Sequence, residues 1–252
     1  MDKTLYKEME SREEYHWWFR GRREIIFSTL KNFIKEPINS ILDIGSGTGK
    51  NTEQLKKIFN SEVMGLENSD EAINISSKKY NWLKIIKGNF PEDLPDKKFD
   101  LITFLDCLEH IPDDIFSLKE ANNALNKDGY LFITVPAFQF LWTEHDALAH
   151  HIRRYTKKDL ENKLISSGFK IVKISYFNFF LFTPIAAIRQ LKKFFKIKTN
   201  SSDFFNLPPF LNSLLSWFFG LESKFLRFLN FPFGVSLLAL AKKENHPEST
   251  LN

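Results

Sequence analysis

The chain has 252 residues, 43% of them hydrophobic, enough to bury one sizeable α/β core with an appendage. Its formal net charge of +4 is too mild to argue for nucleic acid, which is not expected as a partner. One cysteine, Cys107, excludes an internal disulfide framework and fits a reducing compartment.

Residues 1–36 form an N-terminal segment. It opens without the basic region and apolar core of a signal peptide, so the expected location is cytoplasmic. Glu13-Glu-Tyr-His-Trp-Trp-Phe-Arg-Gly-Arg-Arg23 is dense in aromatics and arginines, and Glu24 to Ile34 continues as an amphipathic helix. Two readings stand together. Trp17, Trp18 and Phe19 can anchor the helix on a sheet edge, or the helix can act as a lid with Arg20 or a neighbour reaching a ligand carboxylate.

Ile41-Leu-Asp-Ile-Gly-Ser-Gly-Thr-Gly49 follows, an apolar run closed by alternate glycines, and Asn51 to Phe59 then takes helical periodicity. Strand, glycine turn and helix open a nucleotide-binding α/β unit. The spacing is G-x-G-x-G, with Lys50 where a dinucleotide site has its third glycine. Asp43 is read at the mouth of the turn, where a carboxylate repels a pyrophosphate but pairs with an ammonium. This charge balance favours S-adenosylmethionine (SAM). Glu62-Val-Met-Gly-Leu-Glu67 reads as a second strand whose terminal acid is placed for ribose hydroxyls. Ser69 is a helix cap, Leu83 to Ile86 a third strand ending at Gly88-Asn89-Phe90, and Phe99 to Leu105 a fourth, ending in Asp106-Cys-Leu-Glu-His110.

In order and spacing, residues 41–49, 65–69, 88–90 and 99–112 resemble the motifs of class I SAM-dependent methyltransferases of the type 11/12 kind. The resemblance implies a Rossmann-like, doubly wound, mostly parallel seven-stranded α/β sheet with an N-terminal lid helix. It implies SAM as cofactor, held by Asp43, Gly45, Ser46, Gly47, Thr48, Gly49, Glu67, Asn68, Asn89, Phe90 and Asp106. Asn89 stands where the family often has an aspartate on the adenine amino group. Phe90 either stacks beside the ring or belongs to the core. The loop after the fourth strand resembles the Glu-x-x-Glu-His loop of quinone-pathway O-methyltransferases, associated there with a metal, with Asp106 replacing the first glutamate. Glu109 and His110 are read as capping the loop, and no metal is assigned.

Asp113 to Leu125 reads as a helix closed by Lys127-Asp-Gly129, and Tyr130 to Val135 as the fifth strand. The segment from Ala137 to Tyr155 leaves that strand's carboxyl end and should overhang the methyl donor. His110, His145, His150 and His151, four of the six histidines, fall in segments expected to face the site. His145 or His110 is expected as the base for an acceptor hydroxyl. Trp142, His150, His151, Arg153, Arg154 and Tyr155 are expected to contact the acceptor, with the alternative that the arginines pair with Glu144 and Asp146.

Thr156 caps a helix that ends at Gly168, and Phe169 to Tyr176 alternates as the sixth strand. The SAM-binding core is thus read as 37–176 plus 234–243, with a last strand over Gly234–Ala241. The hydrophobic insertion 177–233 separates the two parts, and 244–252 is a polar tail. The insertion holds no convincing transmembrane helix, because prolines and charges interrupt its apolar runs. Aromatic faces beside lysines fit a helix lying in a membrane interface, which points to peripheral contact at the inner face of the membrane. A packed cap or a dimer interface is the alternative. The expected activity is direct methyl transfer to a small or lipid-linked acceptor, with oxygen as nucleophile. The rival readings are a soluble small-molecule enzyme whose insertion is only a cap, a nicotinamide-dependent oxidoreductase and a non-catalytic SAM-binding subunit.

Overall fold

A computed structural model describes residues 3–195 and 207–244. Lys196, Lys198, Phe204 and Phe205 of the insertion, and nearly all of the polar tail, lie outside these residues. The strands are β1 (Ser40–Ile44), β2 (Glu62–Glu67), β3 (Lys84–Lys87), β4 (Phe99–Leu105), β5 (Leu125–Pro136), β6 (Phe169–Phe177) and β7 (Ser236–Lys243). The helices are α1 (Lys3–Arg12), α2 (Trp17–Phe33), α3 (Lys50–Phe59), α4 (Asp70–Lys79), α5 (Asp114–Ala124), α6 (Glu144–Leu148), α7 (Lys157–Ser166), α8 (Phe182–Phe194), α9 (Pro209–Gly220) and α10 (Glu222–Leu226).

One sheet runs in the order β3-β2-β1-β4-β5-β7-β6, with β7 antiparallel to both of its neighbours. This is the Rossmann-like doubly wound sheet. The central strands are mostly apolar because helices cover both faces; in β4 every residue but Asp100 is buried. The chain winds outward from β1 to β3, then returns to place β4 beside β1. That reversal opens a crevice beyond the carboxyl ends of β1 and β4, where doubly wound folds hold their ligands. The segment Lys127-Asp-Gly129 does not close α5 as expected. Asp128 takes a positive φ of 63°, and the pairing of β5 with β4 shifts there, so the strand already begins at Leu125.

The insertion is helical. Pro184 sits in the first turn of α8, where no intrahelical N–H is needed. Glu222 ties α10 to the turn after β6, since its Oε1 accepts from the backbone N–H of Phe179 (2.8 Å) and Phe180 (3.0 Å). Burial pushes this carboxyl up to about 7 against those hydrogen bonds. Because the folded value is raised, the group's contribution to stability is complete at low pH and is lost as pH rises through about 7. Glu222→Gln keeps the amide acceptor without the charge. Its melting temperature should therefore gain on the parent's as pH goes from about 5 to about 9 in thermal unfolding; a gap independent of pH would contradict this.

Candidate active site

The glycine turn is built to admit a ligand. Gly45 has φ of 69°, and a Cβ there would meet the Cys107 sulfur at 2.6 Å. Gly47, at φ of 54°, has the opposite surroundings: a Cβ would find nothing nearer than the Gly45 carbonyl at 3.9 Å. Its open side belongs to a cavity of about 860 Å³, and α3 starts immediately after the turn. Glu67 holds the turn from β2, with Oε2 accepting from Gly47 N–H (2.8 Å) and Oε1 from Ser69 N–H (2.9 Å). The Tyr6 hydroxyl also approaches this carboxylate, which keeps acceptor capacity for a ligand hydroxyl.

Gly45, Ser46, Gly47, Thr48, Glu67, Asn68, Asn89, Phe90 and Asp106 all line this cavity. Asn89 Oδ1 accepts from Asn68 Nδ2 (3.0 Å), and Phe90 packs edge-on against Phe104 while reaching the cavity wall. Asp43 and Gly49 differ from expectation. Gly49 caps α3 behind the turn. Asp43 is 1% exposed and lies behind the loop, accepting from the hydroxyls of Thr52 (2.6 Å) and Thr103 (2.7 Å). Burial raises it to about 6 in spite of those bonds. It braces the turn against α3 and β4 instead of standing at its mouth, because its strand position points between those elements.

The N-terminal segment both packs into the core and lines the cavity. Ile25, Ile26 and Leu30 of α2 enter the core, while Tyr6, Trp17, Trp18 and Arg22 line the cavity. Glu13 accepts from the Thr48 hydroxyl and from Lys79 Nζ (2.8 Å), fastening the N-terminal segment to the glycine turn. Arg20 is exposed, whereas Arg23 and Arg22 both line the cavity, and the one that meets Asp106 is Arg22. Its NH2 meets Asp106 Oδ2 (2.8 Å) and the Thr134 hydroxyl (2.8 Å), with the guanidinium over the Trp18 ring. The spacing of Trp18 and Arg22, one helical turn apart, was the available signal.

At the acceptor end, His110, His145, His150, His151 and Arg154 line the cavity, whereas Trp142, Arg153 and Tyr155 do not. Tyr155 is fully buried and donates to Asp114 Oδ2 (2.9 Å), which Arg153 also pairs at 2.7 Å. Arg154 forms a fork on Asp146, with Nε to Oδ1 and NH2 to Oδ2 at 2.8 Å each. The acceptor-contact reading therefore does not hold for Trp142, Arg153 and Tyr155; Arg153 and Tyr155 are drawn to Asp114, away from the cavity. Asp146 Oδ1 also meets His151 Nδ1 at 2.8 Å. Burial alone would push Asp146 up, but its bonds from His151 and Arg154 hold it well below the usual carboxylate range. His110 packs against His151 at 4.8 Å between ring centres; burial first, then that neighbour, lowers it to about 4.

Glu109, whose place in the cavity wall sequence reasoning missed, is fully buried and neither of its oxygens has a hydrogen-bond partner. Burial and the Asp106 charge push it well above the carboxylate range. One ligand atom each from Glu109, His110 and His151 falls within 4.8 Å of the others, so these three could hold a divalent ion.

A switch-point crevice, an open glycine cradle and a carboxylate at the tip of β2 fit a class I SAM-dependent methyltransferase. The donor set fits SAM: Glu67 offers acceptors for ribose hydroxyls, while Glu13 and Asp106 are already paired with Lys79 and Arg22, as Lys50 is with Glu14 (2.7 Å), so the cavity presents no unpaired cation from these groups to favour a pyrophosphate. The family model described as methyltransferase domain matches residues 18–174, and the chain belongs to that family. It is 38% identical over 104 residues to a ubiquinone biosynthesis O-methyltransferase of Pelagibacter ubique, covering 39% of this chain and 43% of that protein. A SAM-dependent methyltransferase from Archaeoglobus fulgidus has TM-score 0.56 and 19% identity, covering 92% of this chain and 97% of that one. Phosphoethanolamine N-methyltransferase 2 of Haemonchus contortus, in complex with S-adenosyl-L-methionine, has TM-score 0.57 and 16% identity, covering 95% of this chain and 60% of that one. The chain spans about half the length of the curated relatives it matches.

Proposed function

We propose that the protein methylates an oxygen of a hydrophobic, lipid-linked acceptor, with His151 as the base. The supporting observation is that one cavity of about 860 Å³ runs from the glycine turn to the histidine cluster and is walled beyond it by Ile185 and Ile188 of α8. That volume lies toward the upper end of the ~300–1,000 Å³ common for small-molecule sites, as suits donor and acceptor together. Bound SAM supplies a sulfonium-activated methyl group. The protein's work is to orient the acceptor oxygen in line with it, exclude water and take the proton. His151 is better suited to this than His110 or His145. Asp146 fixes its Nδ1 and would stabilise the imidazolium, whereas His110, lowered to about 4, is a weak base at neutral pH. A ring hydroxyl on a lipid-linked acceptor is the substrate class that agrees with the ubiquinone-pathway relative.

Calorimetric titration with SAM and, separately, NADH tests the first half of this reading. Heat of binding is expected for SAM alone. Transfer of labelled methyl from SAM to polyprenylated catechols tests the second half. Turnover only on amines, or none on any hydroxyl acceptor, would overturn the oxygen assignment.

A further inference from the structure

The helices between β6 and β7 are inside out. On α9, the residues turned toward α2 are Asn212, Ser216 and Phe219, while Phe210, Leu214, Trp217 and Phe218 face outward at helical spacing. The inward polar groups have work to do: Asn212 Oδ1 accepts from Trp17 N–H (2.7 Å), and its Nδ2 donates to the Tyr15 carbonyl (2.6 Å). Gly21 of α2 leaves room for the Phe219 ring, which would lie 2.5 Å from a Cβ there. The packing therefore commits α9 to this orientation. On α8, Gln190 Nε2 and Lys193 Nζ both donate to the Phe140 carbonyl (2.8 and 2.6 Å), while Ile188, Leu191 and Phe194 are exposed.

The exposed rings are joined through the half-buried rings of Phe179, Phe180 and Phe182. Phe140, Phe182 and Phe233 touch in sequence (6.5 and 5.0 Å between centres), and Phe179 links Phe233 to Phe180 (4.7 and 5.6 Å). Phe180 then meets Phe218 and Phe225 at 5.3 and 5.9 Å. This strip borders the cavity, since Ile185, Ile188, Arg189 and Lys192 of α8 line its wall.

We propose that this strip docks on an anionic lipid bilayer, with the cavity mouth beside α8 held at the membrane surface. The inference rests on the lipid-linked acceptor reading for its purpose, not for its test. Charge selects the occupant. Residues 177–233 contain seven Lys or Arg against two carboxylates, a local +5 that exceeds the chain's whole +4. Among the described residues of this segment the one carboxylate is Glu222, and it is fully buried. A second copy across a two-fold axis would set this positive surface against itself, whereas an anionic leaflet complements it and receives the aromatic side chains.

The test is sedimentation of the full chain with vesicles of phosphatidylcholine, with and without about 30% phosphatidylglycerol. The parent should bind the anionic vesicles. A Phe210→Ser, Trp217→Ser, Phe228→Ser triple variant, none of whose residues touches the cavity, should lose about a hundredfold in partitioning. Its SAM titration should match the parent's, which shows that it is folded. Lys224→Glu with Arg227→Glu should abolish the preference for phosphatidylglycerol. Three results would overturn the proposal: a parent that stays in the supernatant, a triple variant that binds equally, or a parent dimer that the triple substitution dissociates. Vesicle binding without turnover on any lipid-linked acceptor would leave docking in place and remove only the acceptor assignment.

Discussion

His151→Ala should lower the rate of methyl transfer to a hydroxyl acceptor by about 10²–10⁴-fold, the usual worth of a positioned base, while SAM affinity stays close to the parent's. The imidazole sits at the acceptor end of the cavity, and its Nδ1 is fixed 2.8 Å from Asp146. The contacts that hold the glycine turn come from Glu67 and Glu13 instead. The pH profile separates a base from a merely structural role. The deficit should narrow as pH approaches the acceptor's own ionisation, near ~10 for a phenol-like hydroxyl, because the acceptor then needs no base. A deficit that stays constant across pH would remove His151 from this role. Asp146→Asn is the less clean variant. It breaks the buried fork with Arg154 as well as the bond to His151, so a stability loss on the order of 3–5 kcal/mol should accompany its loss of rate.

Glu67→Ala should raise the dissociation constant for SAM by about a hundredfold, equivalent to ~3 kcal/mol for two lost charge-assisted hydrogen bonds. Gly47 and Ser69 would lose the acceptor that shapes the turn, and the cavity would lose its ribose acceptor. Glu67→Gln should rescue little, since both carboxylate oxygens face backbone donors and an amide nitrogen would meet one of them head-on. Titration calorimetry measures this; near-parental affinity in the alanine variant would mean that the donor binds elsewhere. Asp43→Ala offers the contrast. Asp43 is enclosed by Thr52 and Thr103, so its replacement should first lower the melting temperature. Any loss of SAM affinity should appear together with that destabilisation.

The donor half of the site was legible because its signals are local. Ile41–Ile44, Phe99–Leu105 and Leu237–Ala241 are mostly apolar, broken only by Asp43, Asp100 and Thr103, because a central strand covered on both faces has no polar side to show. The alternate glycines mark backbone that only a residue without a Cβ adopts comfortably, here beside Cys107. Glu67 ends a strand whose neighbours place that end at the crevice.

The acceptor half was legible in composition but not in direction. A stretch such as His150-His-Ile-Arg-Arg-Tyr155 offers six consecutive side chains, and only packing decides which of them turn inward. Arg153 and Tyr155 go to Asp114, while His151 and Arg154 go to Asp146. Arg22, not Arg20, reaches Asp106 because the rotation of α2 about its axis is set by Ile25, Ile26 and Leu30 in the core.

The insertion draws the same boundary. Its 15 phenylalanines and the helical spacing of its apolar residues announce an apolar face from the sequence alone. Which face meets solvent was settled by tertiary packing, when Asn212 bonded to the Tyr15 and Trp17 backbone and Phe219 seated over Gly21. Local sequence thus determined the main elements, the glycine turn and the carboxylate at the tip of β2, because each follows from a single segment's backbone and burial. The pairing of Asp146 with His151, the reach of Arg22 to Asp106 and the exposed aromatic strip were decided by the fold, because each depends on which of two faces a distant element covers.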